Sequence, residues 1–108
     1  MTKKASKVLN TLYGIYKALL KHNVPRAYAR RLCSFSKIHQ KYFSDMHVET
    51  LKDLFTELKS AGFLEFETNN GNIEKLRLTH KAIVFQETKY EESLNKAFDL
   101  IKLLKVFF

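Results

Sequence analysis

Residues 36–64 read SKIHQKYFSDMHVETLKDLFTELKSAGFL. Within them Val48, Leu51, Leu54, Phe55 and Leu58 recur at spacings of three and four, which predicts an amphipathic helix over Val48 to Ala61. Gly62 stops it, because glycine takes left-handed backbone at little steric cost. Ahead of this helix Ser44-Asp45-Met46 reads as a turn, with Ser44 or Asp45 as the helix cap. Lys37 to Phe43 then makes a shorter helix. Ser34 or Ser36 caps it, Ile38 and Tyr42 point inward, and Phe43 stands beside them.

Downstream, Leu64 and Phe66 alternate with Glu65 and Glu67, and Leu76 and Leu78 alternate with Lys75 and Arg77, which predicts a hairpin closed by Asn69-Asn70-Gly71-Asn72. A two-residue Asn70-Gly71 loop would pair Phe66 with Lys75, an inward residue opposite an outward one. A three-residue loop, with Gly71 or Asn72 at positive φ, pairs Leu64 with Leu76 or Leu78 instead. One such register faces Glu65 to Arg77 and Glu67 to Lys75. Thr79 can cap a last helix running to Phe108.

Upstream, Val8, Leu9, Leu12, Ile15, Tyr16, Leu19 and Leu20 form one face of a helix from Ser6, its expected cap, to His22. His22-Asn23-Val24-Pro25 breaks it. Pro25 can open a short helix from Arg26 to Cys33 at its first position, where its missing N–H costs nothing.

The 108 residues fit one domain, and 45% hydrophobic with 28% charged residues is a globular composition. The net charge of +8 is unevenly placed. Residues 1–48 hold ten basic residues against Asp45 alone, a net of +9, whereas residues 49–108 hold nine basic and ten acidic, a net of −1. Such asymmetry suggests a polyanionic partner, nucleic acid or an anionic membrane surface; a solvated lysine-rich face is the plain alternative. With one cysteine, Cys33, an internal disulfide is excluded. A reducing compartment, the cytoplasm, is the expectation. No signal peptide is visible, and no apolar run reaches the length of a membrane span.

The order is helix, short helix, short helix, turn, longer helix, hairpin, long helix. At residues 36–79 it resembles a winged helix-turn-helix domain. Ser36 to Phe43 stands at the first helix of the motif, Ser44-Asp45-Met46 at the turn, and Val48 to Leu64 at the recognition helix and its exit. Leu76-Arg77-Leu78-Thr79 is similar to the strand that closes the wing. The long C-terminal helix looks most like that of the PadR- and MarR-like transcription regulators, in which it builds a dimer. The lysine- and phenylalanine-rich style also resembles small winged-helix proteins of archaeal plasmids and viruses, some regulatory and some centromere-binding.

The expected fold is therefore mainly α with a small β-hairpin wing. One domain over 1–108 is divided into the helix-turn-helix (36–62), the wing (63–79) and a dimerisation helix (80–108). The resemblance implies double-stranded DNA as partner. Base edges fall to His47, Thr50, Lys52 and Asp53 at the start of the second helix, since Val48, Leu51, Leu54 and Phe55 are needed inward. That helix is itself net acidic, which repels phosphate, although a carboxylate can accept from cytosine N4. Phosphate contacts fall to Arg26, Arg30, Arg31, Lys37 and Lys41, with Ser34, Ser36 and Ser44. The wing offers Asn69, Asn70, Asn72, Lys75 and Arg77 to an adjacent minor groove, although Lys75 and Arg77 can instead pair across the strands.

The apolar C-terminal stripe folds back on its own domain or pairs with a second copy. A homodimer through Tyr90, Leu94, Ala97, Phe98, Ile101 and Leu104 is the expectation. It would present two recognition helices to half-sites about one helical turn apart. The other readings are a partition adaptor that coats DNA, a protein-interaction module using Glu49, Asp53 and Glu57, and a membrane-surface protein held by its lysine-punctuated tail. In the preferred DNA-binding reading a further protein of the same regulatory or partition system is a candidate partner, and no membrane partner is expected. His22, His39, His47 and His80 lack metal-ligand spacing, and no serine or cysteine has a nearby histidine and carboxylate at a recognisable catalytic spacing. No metal, cofactor or enzymatic activity is expected.

Overall fold

The computed structural model describes residues 1–89. Four helices come first: α1 (Lys3–Lys21), α2 (Arg26–Ala29), α3 (Phe35–Tyr42) and α4 (Val48–Ser60). Strands β1 (Leu64–Asn69) and β2 (Asn72–Leu78) form an antiparallel hairpin, and residues 80–89 are helical. The arrangement is mainly α and winged-helix-like. The expected dimer residues Tyr90, Leu94, Ala97, Phe98, Ile101 and Leu104 lie outside the described residues, as does the rest of the predicted last helix.

One core joins all these elements. Leu9, Leu12 and Tyr16 of α1 meet Ile38 of α3, Leu51, Phe55 and Leu58 of α4, and Leu64 and Leu78 of the hairpin, all fully buried. Phe35 packs edge-on against Phe55 with ring centroids 5.1 Å apart, which pins the start of α3 to α4. Periodicity alone puts Phe35 in a break and turns Tyr42 inward. In the fold Phe35 is buried in the first turn of α3, and Tyr42 is exposed.

The helix ends follow local hydrogen bonding. Thr2, not Ser6, caps α1 by accepting from Ala5 N at 3.2 Å, and the added turn buries Ala5. Asn23 ends α1 at φ 65, and the Asn23 and Val24 amides return to Leu20 and Leu19 carbonyls. Pro25 caps α2 rather than opening it. Ser34 caps α3 through Lys37 N. His47, rather than Ser44 or Asp45, caps α4, with its Nδ1 accepting from Glu49 N at 3.1 Å. Gly62 has φ 86 and ends α4 as expected. Thr79 caps the helical residues 80–89, accepting from Ala82 N and donating to Gly62 O.

Two expectations fail for reasons outside their own segments. The predicted helix Arg26 to Cys33 ends at Ala29, because residues 30–32 pair with β2. Leu32 N donates to Leu76 O at 3.0 Å and Leu78 N to Arg30 O at 2.9 Å, which covers the open edge of the hairpin. The hairpin loop has two residues, not three. Asn70 (φ 52) and Gly71 (φ 79) close it between partners Asn69 and Asn72. The parity conflict is removed by a bulge: the register shifts between Glu65 and Glu67, and Lys75 takes φ 54. Leu64 thus pairs with Leu78 and Glu65 with Arg77, while Phe66 and Leu76 both stay buried.

Candidate nucleic-acid interface

The two helices flanking the 43–47 turn are held in fixed relation. His39 Nε2 donates to Met46 O at 2.7 Å, which ties the end of α3 to the residues entering α4, and Met46 N donates to Phe43 O. Below this tie Phe35, Ile38, Leu51 and Phe55 are buried together. The pair can therefore present two outer faces as one rigid unit.

The outer face of α3 carries Ser36, Lys37, Gln40 and Lys41, all exposed. Neither lysine forms an ion pair among the described residues; Lys41 Nζ stands 5.4 Å from the Tyr42 ring. Of the other expected phosphate contacts, Arg26, Arg31, Ser34 and Ser44 are exposed and Arg30 is half-buried. Arg31 packs over the exposed Tyr28 ring at 5.3 Å. Gln40 and Tyr28 belong to this surface although neither is a residue type that charge singles out. Their signal is position: Gln40 shares the exposed face of α3 with the two lysines, and Tyr28 is three residues before Arg31.

The α4 face is different. Glu49, Thr50 and Asp53 are exposed in its first two turns, followed by Thr56 and Ser60. Lys52 is only partly exposed and pairs with Glu49 at 3.6 Å. His47 spends one ring nitrogen on its cap, leaving Nε2. The remaining charges of α4 fasten it to its neighbours. Glu57 accepts from Thr2 N at 2.8 Å and from Thr2 Oγ1. Lys59 donates to Phe66 O at 2.9 Å and lies 4.6 Å from the Phe66 ring. Lys81 donates to Ala61 O at the negative end of the helix. What α4 offers outward is therefore hydroxyls and carboxylates.

On the wing, Asn69, Asn70 and Asn72 are exposed at the tip. Lys75 and Arg77 are engaged across the strands: Lys75 with Glu67 at 3.3 Å, and Arg77 with Glu65 through Nε and a second nitrogen. Both pairs are exposed and contribute little to stability. Among the described residues no cluster of His, Cys, Asp and Glu could hold a metal ion, and no helix is long and apolar enough to cross a membrane.

Comparison of the chain with protein-family models, with curated proteins and with solved structures finds no match.

Proposed function

We propose that this chain binds double-stranded DNA as a dimeric winged helix-turn-helix transcription regulator. In this reading α3 and the arginines before it hold phosphates, and the N-terminal turns of α4 meet base edges. The supporting observation is the placement of charge without counter-charge. Lys37 and Lys41 face outward from the first helix of the motif, Arg26 and Arg31 lie on its approach, and none has a carboxylate partner among the described residues. Guanidinium and ammonium groups left without carboxylates suit phosphate oxygens. The second copy would be joined through Tyr90, Leu94, Ala97, Phe98, Ile101 and Leu104.

Titration of the protein with labelled duplexes at several salt concentrations tests the reading. Neutralising about six phosphates gives a log–log salt slope near −5. Negligible affinity at low salt, or affinity indifferent to salt, ends it. Light scattering tests the dimer, and a monomer at high micromolar concentration contradicts it. The same phosphate surface also suits a partition adaptor that coats DNA, and a footprint on the DNA flanking its own reading frame separates the two. A protein-docking role is favoured by one feature, the carboxylates Glu49 and Asp53 on the outer face of α4. It predicts that substitutions there leave duplex affinity untouched.

A further inference from the structure

The pairing of residues 30–32 with β2 sets two arginines against each other. Arg31 and Arg77 are bridge partners, flanked by the hydrogen bonds Leu32 N to Leu76 O and Leu78 N to Arg30 O. That places them at the non-hydrogen-bonded position of an antiparallel pair, where opposite Cα atoms approach to about 4.5 Å and side chains leave the same face of the sheet. Like charges directly opposite are unfavourable in a sheet. Arg77 is relieved by Glu65, its partner on β1. Arg31 has no ion-pair partner among the described residues and lies over Tyr28.

Both arginines line a groove of about 760 Å³ between the 31–35 segment and the hairpin. Its three carboxylates are Glu65, Glu67 and Glu74. Glu65 is held by Arg77 and Glu67 by Lys75, while Glu74 stands opposite Glu67 in the register. None answers Arg31. Arg77 gives Nε and Nη2 to Glu65, so its other terminal nitrogen keeps its donors.

We infer that Arg31 and Arg77 together form a seat for a phosphate group on the outer face of the sheet, and that its occupant is a backbone phosphate of the bound duplex. The phosphate relieves the opposed charges and takes the donors that Arg31 leaves open. The assignment to DNA rests on the proposed function; the seat itself does not. It extends the phosphate-holding surface from α3 to the wing through a contact between distant parts of the chain.

Two measurements on wild type, Arg31→Gln and Arg31→Lys separate these claims. The first is thermal unfolding in about 50 mM inorganic phosphate against chloride of equal ionic strength. Phosphate raises Tm in wild type by about 3 °C more than in Arg31→Gln, with Arg31→Lys between them, since the general stabilisation by phosphate acts on all three. An equal rise in wild type and Arg31→Gln overturns the seat, whatever the DNA affinity. The second is duplex titration, in which Arg31→Gln makes the salt slope shallower by about one. A phosphate response that requires Arg31, with the slope unchanged, overturns the backbone occupant and leaves a seat for free phosphate. Absence of duplex binding in wild type defeats the proposed function, and with it this occupant, while the thermal comparison still decides the seat.

Discussion

Helices α3 and α4 stand on either side of one turn and share one core, yet they face solvent with opposite chemistry. α3 presents Lys37 and Lys41 with Ser36 and Gln40; α4 presents Glu49 and Asp53 with Thr50, Thr56 and Ser60. In the proposed function the difference separates two tasks that a uniformly basic motif would merge. A cationic α3 supplies attraction that ignores sequence. A carboxylate-bearing α4 is repelled by phosphate and gains only where a base edge offers a hydrogen-bond donor. In the proposed function α3 sets affinity and α4 sets preference, the second at some expense to the first.

This contrast requires the two helices to be fixed, and the largest effect comes from breaking that. Phe55 is fully buried and meets Phe35 edge-on. Phe55→Ala removes a large buried ring and its aromatic partner contact. It should cost about 3–5 kcal/mol in chemical denaturation. For a domain of this size that is a large share of total stability. A cost below about 1 kcal/mol would mean that α3 and α4 are not locked through this pair.

Removing the basic face comes next. Lys37→Ala with Lys41→Ala should weaken every duplex on the order of tenfold, nearly equally across sequences, and make the salt slope shallower by about two. Stability should barely change, since both side chains are exposed and outside any ion pair among the described residues. A change in sequence preference instead would exchange the roles given to α3 and α4.

Much of this division is legible in residue spacing, and the parts that are not have a common cause. The 3–4 stripe from Val48 to Leu58 and the stop at Gly62 are local, so α4 lies where periodicity puts it. The exposed lysines of α3 follow from the same wheel. Distant partners set the rest. Residues 30–32 leave the helical path to serve β2, whose need for an edge partner is invisible within Arg26 to Cys33. Parity excludes the Asn70-Gly71 turn only if the hairpin ladder is regular. Lys75 at φ 54 supplies the extra residue that makes the tight turn and the buried Phe66 compatible. At the start of α4, Ser44 and Asp45 are stronger capping types than histidine, yet His47 holds the cap because it directly precedes Val48. Of the four residues expected at base edges, Thr50 and Asp53 are thus the two exposed side chains with no other task among the described residues.

Weakening the acidic face should move affinity in the opposite direction from the α3 double substitution. Asp53 is exposed and forms no ion pair among the described residues. Asp53→Asn removes one charge without changing shape. It should raise affinity for arbitrary duplexes about threefold at low salt, an effect that fades as screening shortens the range of the charge. Because an amide donates as well as accepts, it should also change which bases are favoured. Unaltered affinity and preference would place the outer face of α4 away from DNA and support the docking role.

The smallest effect tests whether Lys52 tempers that face. It lies beside Glu49 at 3.6 Å, with the Glu49 side chain 72% exposed, so the pair contributes little to folding. Lys52→Ala should leave stability within about 0.5 kcal/mol of wild type, the scale of an exposed ion pair three residues apart on a helix. Its effect on binding should be larger relative to that. With Glu49 no longer countered, α4 becomes more acidic, and duplex affinity should fall about twofold, again most at low salt. If affinity fell far more, Lys52 would itself touch a phosphate or a base, and the contrast between a binding α3 and a discriminating α4 would give way to a shared surface. If affinity rose, the sign of the field at α4 would be wrong, and the opposition of the two faces would not describe how this molecule meets a polyanion.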